Sequence, residues 1–276
     1  MTRLEVVSPG LLLTVQDRGR PGLAHLGVPP SGAADPAAYE LGNRLVGNPP
    51  GAAALEATID GPVLRFDRPT TVALTGATTP EVRTVEVLEV GRCVGGVRTY
   101  ICVRGGVEVE PVLGSRSTDL LTGLGPAPLR RGDVLRLGPE PADPPRAATI
   151  RAQAPPDTPV LRVVPGPRDD WFTPTALETL CSEPWRVSSS SNRVGVRLEG
   201  PPLERARRDE LLSEGLVTGA LQVPPNGKPI LLLNDHPTTG GYPVIGVVHS
   251  DDLPSAGQLA PGDVVRFDAI RRTPDH

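Results

Sequence analysis

Short apolar runs alternate with polar turns along most of the chain, and their length suits strands better than helices. Residues 229–233 and 244–248 are the clearest pair. Each is an apolar run bounded by turn formers, the mark of a buried strand. With Asn226-Gly227 as a hairpin turn ahead of them, residues 221–248 predict a meander whose second turn is the polar loop beginning at Asn234. Further strands are expected over 107–112, where apolar residues alternate with Glu108 and Glu110, and over 133–137, 160–164, 194–198 and 263–267. Two segments read as helices. Asp35 is a good N-cap, Pro36 suits the first helical position, Leu41 and Leu45 form one apolar face, and Gly47 suits the C-terminal cap. Loss of the Asp35 cap would cost about 1 kcal/mol. The second helix is expected over 173–181, with Pro174 near its start and Leu177 and Leu180 facing inward.

Composition sharpens this picture. The 34 Pro and 31 Gly among 276 residues are spread along the chain and cut it into short segments, so the expected class is mainly β with a few short helices. A chain of this length buries a full core as one large or two modest domains. Prolines are densest over 139–159 and exclude both helix interior and central strand there. That stretch predicts a linker between an N-terminal β-rich half, residues 1–150, and a C-terminal half, residues 159–276. The halves echo one another: 129–137 and 259–267 share Leu-x-x-Gly-Asp-Val-apolar-Arg-apolar, and at the same offset 100–103 falls opposite 230–233. Two related barrel-like halves would give this echo, and so would chance over so short a match.

Charge and residue usage remove several function classes. A net charge of -4 without a basic cluster leaves no electrostatic footprint for nucleic acid or for an anionic membrane. No apolar run approaches 18 residues and the N-terminus lacks a signal-like pattern, so a soluble, cytoplasmic chain is expected. Cys93, Cys102 and Cys181 have no paired spacing and read as buried hydrophobes or reduced thiols. His25, His236, His249 and His276 have no ligand spacing, so no metal site is expected. Lys228 is the only lysine, and no Gly-Lys-Ser or Gly-Lys-Thr phosphate loop exists.

The chemistry-bearing residues gather on turns. Residues 234–243 combine Asn234, Asp235, two hydroxyls and the Gly240-Gly241 pair, which suits oxyanion or carboxylate binding on a rigid scaffold; a hairpin loop of turn formers is the alternative. Asp235 is a candidate base or orienting acceptor, and Asn234, Thr238, Thr239 and the Gly240 and Gly241 amides are candidate oxyanion donors. Residues 114–119 bring together Arg116, Ser117 and Asp119 as a carboxylate or phosphate clamp. Asp17 and Arg20 read as a solvent-exposed ion pair, and 29–35 leads anion-binding N–H groups into the first helix. Because Asp235 and Arg116 sit on turns, Asp235→Asn and Arg116→Ala are expected to abolish turnover while leaving the fold intact.

The loop at 234–246, Val-Gln-Asp-Arg-Gly-Arg-Pro-Gly at 15–22 and Gly-Ser-Arg-Ser-Thr-Asp-Leu at 114–120 together resemble one family, in the same order. It is that of the C-type subunit of ATP-hydrolysing 5-oxoprolinase, the KipA or allophanate hydrolase subunit 2 family, and the similarity runs from about residue 3 to about residue 270. A Ser-rich segment ending in Ser191-Asn192-Arg193 before a strand is shared too, which adds Asn192 and Arg193 as substrate-binding candidates. The resemblance implies a cyclophilin-like β-barrel for at least the second half. It also implies one component of a heteromeric enzyme, inactive alone, that opens 5-oxoproline to L-glutamate with ATP and magnesium. Its implied companions are a KipI-like chain (the B type) and a LamB/YcsF-like chain (the A type). Two other activities are implied by the same resemblance: the carboxyltransferase component of a biotin-dependent, urea-type carboxylase, and a KipA-like regulator that binds a KipI-like kinase inhibitor. Family members can carry other residues at the places of His236 and Lys228, which argues against a catalytic role for either.

Overall fold

The computed structural model describes residues 2–142, 144–145, 158–207 and 209–270. The chain is mainly β and divides into two compact units, residues 1–22 with 30–154 and residues 23–29 with 155–276. The expected linker at 139–159 falls largely outside the described residues. The assignment of 23–29 to the second unit was not expected from the sequence.

The first unit contains strands β1 (Arg3–Ser8), β2 (Leu12–Gln16), β3 (Ala54–Thr58), β4 (Val63–Gly76), β5 (Glu81–Glu89), β6 (Arg98–Val103), β7 (Val107–Glu108) and β8 (Val134–Leu137), with helix α1 (Pro36–Leu45) between β2 and β3. They form an eight-stranded sheet in the order β2-β3-β6-β4-β1-β8-β7, with β5 paired to β4. The amide of Val107 donates to the Ala53 carbonyl at 2.9 Å, which curls the sheet back toward β3. Inside lie Leu4, Val6, Leu13, Val15, Leu55, Ile101 and Val103, all buried, at alternate positions along their strands. The other face of β3, β4 and β6 is covered by α1, which packs Tyr39 and Leu45 against Ala54, Ala73, Tyr100 and Cys102. As expected, the Asp35 side chain caps α1, accepting from the Ala38 amide at 2.9 Å. Pro69 lies within β4 where the pairing with β5 shifts between Arg65 and Thr70, the irregularity a strand proline requires.

The second unit contains β9 (Val160–Pro165), α2 (Pro174–Ser182), β10 (Trp185–Val187), β11 (Gly195–Glu199), β12 (Glu214–Gly215), β13 (Ala220–Gln222), β14 (Ile230–Leu232), β15 (Thr239–Gly240), β16 (Val244–Val248), α3 (Leu253–Gly257) and β17 (Val264–Ala269). A closed barrel runs β10-β11-β14-β13-β16-β9-β17 among the described residues, closed by antiparallel pairing of β17 with β10. Its interior is filled by Leu161, Val163, Trp185, Val196, Leu198, Leu221, Leu231, Ile245, Val265 and Phe267. Leu180 on α2 adds to that core, as expected of an inward-facing helix position.

The expected meander over 221–248 is corrected. Strand β13 lies between β14 and β16 and pairs antiparallel with both, so β14 and β16 run parallel. The polar loop between them is therefore a crossover along the barrel wall and not a hairpin turn. The strand expected over 107–112 is also shorter, since only Val107–Glu108 pairs before the chain enters the hairpin at Val112 and Ser115.

The echo between the halves is a shared structural motif. In one half the Asp133 amide donates to the Arg130 carbonyl at 3.1 Å, and in the other the Asp263 amide donates to the Ala260 carbonyl at 3.0 Å. Each aspartate turns its carboxylate back onto the same amide of its turn, Arg130 in one and Ala260 in the other, at 2.8 Å in both. Gly132 and Gly262 both sit at positive φ, 90° and 94°, where a side chain would be strained. The turns lead β8 onto β1 and β17 onto β10, both antiparallel. Counting inward from β8 and β17, β6 and β14 both occupy the fourth place in the sheet.

Candidate functional site

Three of the polar turns converge in the first unit. The amide of Asp17 donates to Ser117 Oγ at 3.0 Å, and Arg20 N donates to the Pro30 carbonyl at 2.7 Å. Ser31 Oγ donates to the Thr118 carbonyl at 3.0 Å, and Gln16 Nε2 donates to the same carbonyl at 3.1 Å. The loops at 16–20, 29–35 and 112–119 thus form one buried polar layer at the end of β2. Asp17 is its centre. Its Oδ1 accepts from Ser115 Oγ and Ser117 Oγ, both at 2.6 Å, and from the Gly19 amide at 2.7 Å; its Oδ2 accepts from the Arg116 amide at 2.6 Å.

The reading of Asp17 and Arg20 as a solvent-exposed ion pair is corrected, because both are buried. Arg20 spends its guanidinium on the carbonyls of Val112 and Ser117. Ser117 and Asp119, expected as substrate ligands, are both buried and bonded within the chain. Ser117 is fully buried with its hydroxyl on Asp17, and Asp119 accepts from Thr122 Oγ1 at 2.6 Å and from the amides of Leu121 and Thr122. Both side chains hold loops together. Arg116 differs: it is half-buried, its Nε donates to the Val109 carbonyl at 2.8 Å, and the described contacts of its guanidinium include no carboxylate.

Beneath α1 lies a second buried set, which the sequence did not single out. Glu56 on β3 accepts from the Tyr100 hydroxyl at 2.8 Å and the Ala34 amide at 3.1 Å, and Arg98 Nε lies 3.4 Å from its other oxygen. The Tyr100 hydroxyl also accepts from the Asp35 amide at 2.8 Å. Burial, and then the neighbouring Glu56 charge, push the Tyr100 phenol well above its ordinary range. The one signal in the sequence was a glutamate inside the otherwise apolar strand at 54–58.

In the second unit Arg193 and Asp235 form a two-pronged ion pair. Arg193 Nε donates to Asp235 Oδ2 at 2.9 Å and Nη2 to Oδ1 at 3.1 Å, with side chains 1% and 0% exposed. The pair sits where β11 begins and β14 ends, neighbouring strand ends in the barrel. Asp235, expected as a base, and Arg193, expected to bind substrate, are thus paired with one another in a buried position. Asn192 is exposed, with Oδ1 accepting from the Val194 and Gly195 amides. His236 is buried, with Nδ1 2.7 Å from the Pro237 carbonyl.

Asn234 and Thr238 are half-buried and Thr239 is exposed. The crossover separates these residues along the barrel. Asn234 lies at the end of β14, whereas Thr239 and Gly240 form β15, which pairs with β12 across Gly215 and Glu214. An added Cβ at Gly240 would come 2.7 Å from Gln222 Nε2 and 2.9 Å from Leu216 Cδ1, the ends of side chains that would have to shift. Gly241 lies near the Leu211 carbonyl. Under this strap Leu216 covers Ala220, Leu232 and Val244, the apolar outer face of the barrel. Glu214 ties it to Arg168, and that guanidinium holds the Glu214 carboxyl below the usual range.

The chain thus presents two barrel-like β units, each with a buried polar cluster at its strand ends. The family model described as carboxyltransferase domain, subdomain A and B, matches residues 26–269, and the chain belongs to that family. The C-type subunit of the 5-oxoprolinase of Escherichia coli (strain K12) is 36% identical over 281 residues, covering 96% of this chain and 90% of that protein. Urea amidolyase of Lachancea kluyveri is 35% identical over 306 residues, which is 95% of this chain and 17% of that one. The crystal structure of the K. lactis urea amidolyase aligns with a TM-score of 0.90 at 33% identity, over 98% of this chain and 19% of that one. The chain therefore matches nearly the whole of one enzyme component and less than a fifth of a much longer enzyme. No helix among the described residues is long and apolar enough to cross a membrane.

Proposed function

We propose that this chain is the C-type subunit of an ATP-dependent 5-oxoprolinase, inactive alone, that opens 5-oxoproline to L-glutamate together with a KipI-like B-type chain and a LamB/YcsF-like A-type chain. The observation that carries the reading is the 36% identity to the corresponding Escherichia coli protein over 90% of that protein's length. Arg116 grips the carboxylate of 5-oxoproline through the guanidinium nitrogens left over from its bond to Val109. In the second unit Asn234, Thr238 and Thr239, half-buried or exposed on the crossover, are kept as oxyanion donors. ATP bound to the complex would supply a phosphoryl group to the lactam oxygen, leaving ADP. One water would then add at the activated carbon as the ring C–N bond breaks and the nitrogen takes up a proton, and a second water would release the phosphoryl group as phosphate to leave glutamate. Among the described residues no group of three or more His, Cys, Asp or Glu is placed to hold a metal. Magnesium would arrive with the nucleotide and keep most of its waters.

The test is co-expression with the B-type partner, with and without the A-type one, followed by an assay for ATP-dependent glutamate release from 5-oxoproline. Turnover only with all three chains is expected. Two independent size-exclusion peaks at micromolar concentration, or no glutamate from the full set, would sink the reading. A second reading, the carboxyltransferase component of a urea-type carboxylase, is favoured by the TM-score of 0.90 to urea amidolyase. It requires a biotinylated partner, and it predicts carboxylation of urea with bicarbonate and ATP.

A further inference from the structure

The Asp17 carboxylate is bound more completely than loop closure alone requires. Four donors converge on it: two hydroxyls and one amide on Oδ1, and the Arg116 amide on Oδ2. Two of its partners, Ser115 and Ser117, flank Arg116 in sequence, and Ser115 Oγ also accepts from the Ser117 amide at 3.0 Å. The backbone on both sides of Arg116 is therefore fixed against the loop at 16–20, about 100 residues away in sequence. Further out, Arg116 Nε is fixed on the Val109 carbonyl. An arginine held at its backbone and at Nε keeps its two terminal nitrogens in one plane and one direction, the arrangement a bidentate carboxylate needs.

We propose that Asp17 is a positioning residue: it sets the 115–117 backbone so that Arg116 presents its guanidinium to the substrate carboxylate, an inference that rests on the role given to Arg116 above. A neutral side chain of the same shape cannot replace it. The amide of an asparagine would turn an N–H toward either the Arg116 amide or the Ser115 and Ser117 hydroxyls, so one donor of the set loses its acceptor.

The test has two arms. In the assembled complex, Asp17→Asn is expected to raise KM for 5-oxoproline about tenfold or more while kcat changes little, the pattern of lost uniform binding. Arg116→Ala, expected from the sequence alone to abolish turnover, should instead do the same, and the double variant should be no worse than Arg116→Ala, since residues acting through one another are not additive. In the full-length chain alone, the Arg116 Nε–H resonance is expected to shift and exchange faster in Asp17→Asn while that of Arg193 stays put. If Asp17→Asn does not fold, Ser115→Ala, which removes one donor, should give the same changes in smaller measure. An unchanged Arg116 resonance overturns the proposal whatever the reaction is. A lower melting temperature with KM unchanged reduces Asp17 to a fold residue and overturns it too. A wild-type complex that releases no glutamate sinks the substrate reading by itself, and the resonance still decides whether Asp17 holds Arg116.

Discussion

Asp235→Asn tests whether the most polar part of the crossover loop is machinery or core. The substitution keeps shape and volume but leaves Arg193, whose side chain is 1% exposed, as a buried cation facing an amide. Replacing the carboxylate also aims an N–H at one of the two guanidinium nitrogens that now donate at 2.9 and 3.1 Å. Breaking a buried pair from one side typically costs about 3–5 kcal/mol, because the remaining charge stays uncompensated. For a unit of this size each kcal/mol lowers Tm by roughly 3–5 °C, so a fall of roughly 9–25 °C is expected. Thermal and urea unfolding of the chain measure this directly. Replacing both partners together, as Arg193→Met with Asp235→Leu, should recover much of the loss, since an apolar pair needs no compensation. Asp235→Asn unfolding within about 1 kcal/mol of wild type, while abolishing turnover, would refute this and restore the reading of Asp235 as a dispensable catalytic group.

Three further outcomes follow from the packing. Gly42→Ala on α1 should destabilise by about 1–3 kcal/mol despite a helix-propensity gain of up to roughly 1 kcal/mol, because the new Cβ would lie 2.6 Å from Cys102 Sγ and 3.0 Å from Thr75 Oγ1; a neutral result in urea unfolding would show that α1 can shift off β6. The hydrogen bonds from Arg162 hold the Asp252 carboxyl below the usual range, so the pair stabilises the fold above the ordinary carboxylate range, and that contribution is lost as pH falls through the lowered folded value. The stability gap between wild type and Asp252→Asn should accordingly be flat above about pH 5 and close toward pH 3, and a gap that widens on acidification would contradict the sign. His236→Gln in the assembled complex should keep most of its activity, since the ring's Nδ1 is engaged with the Pro237 carbonyl; a hundredfold loss of kcat, the scale of an essential acid or base, would make it one.

Strand and cap assignments were legible wherever the signal was local. Asp35 and Pro36 opened α1 as their residue types demand, and Val244–Val248 is a buried strand because its apolar run needed both faces covered. Even the repeated turn at 129–137 and 259–267 was readable, since the same Gly and Asp make the same back-bonds in both places. Burial of the polar groups was not legible. Nothing near Asp17 in sequence announces that Ser115 and Ser117 will sit on its carboxylate, and Glu56 reveals only that a charge interrupts an apolar strand. Which of two carboxylates on polar turns is a ligand and which is a hub depends on pairings across roughly 40 to 100 residues, such as Arg193 with Asp235 and Ser117 with Asp17.

The loop at 234–243 shows the same limit at the level of topology. Two apolar strands flanking a turn-rich segment look alike whether they pair with each other or lie either side of a third, because the local pattern records only which face is buried. The decision rests on β13, a strand of three residues whose two edges take β14 and β16. Once β13 is between them, β14 and β16 must run parallel, and the connecting residues must travel back along the barrel instead of turning on the spot. That journey places Asn234 and Asp235 beside the start of β11 and carries Thr239 and Gly240 onto the strap with β12. A motif contiguous in sequence is thereby divided between a buried ion pair at the end of the barrel and a strap on its outer wall.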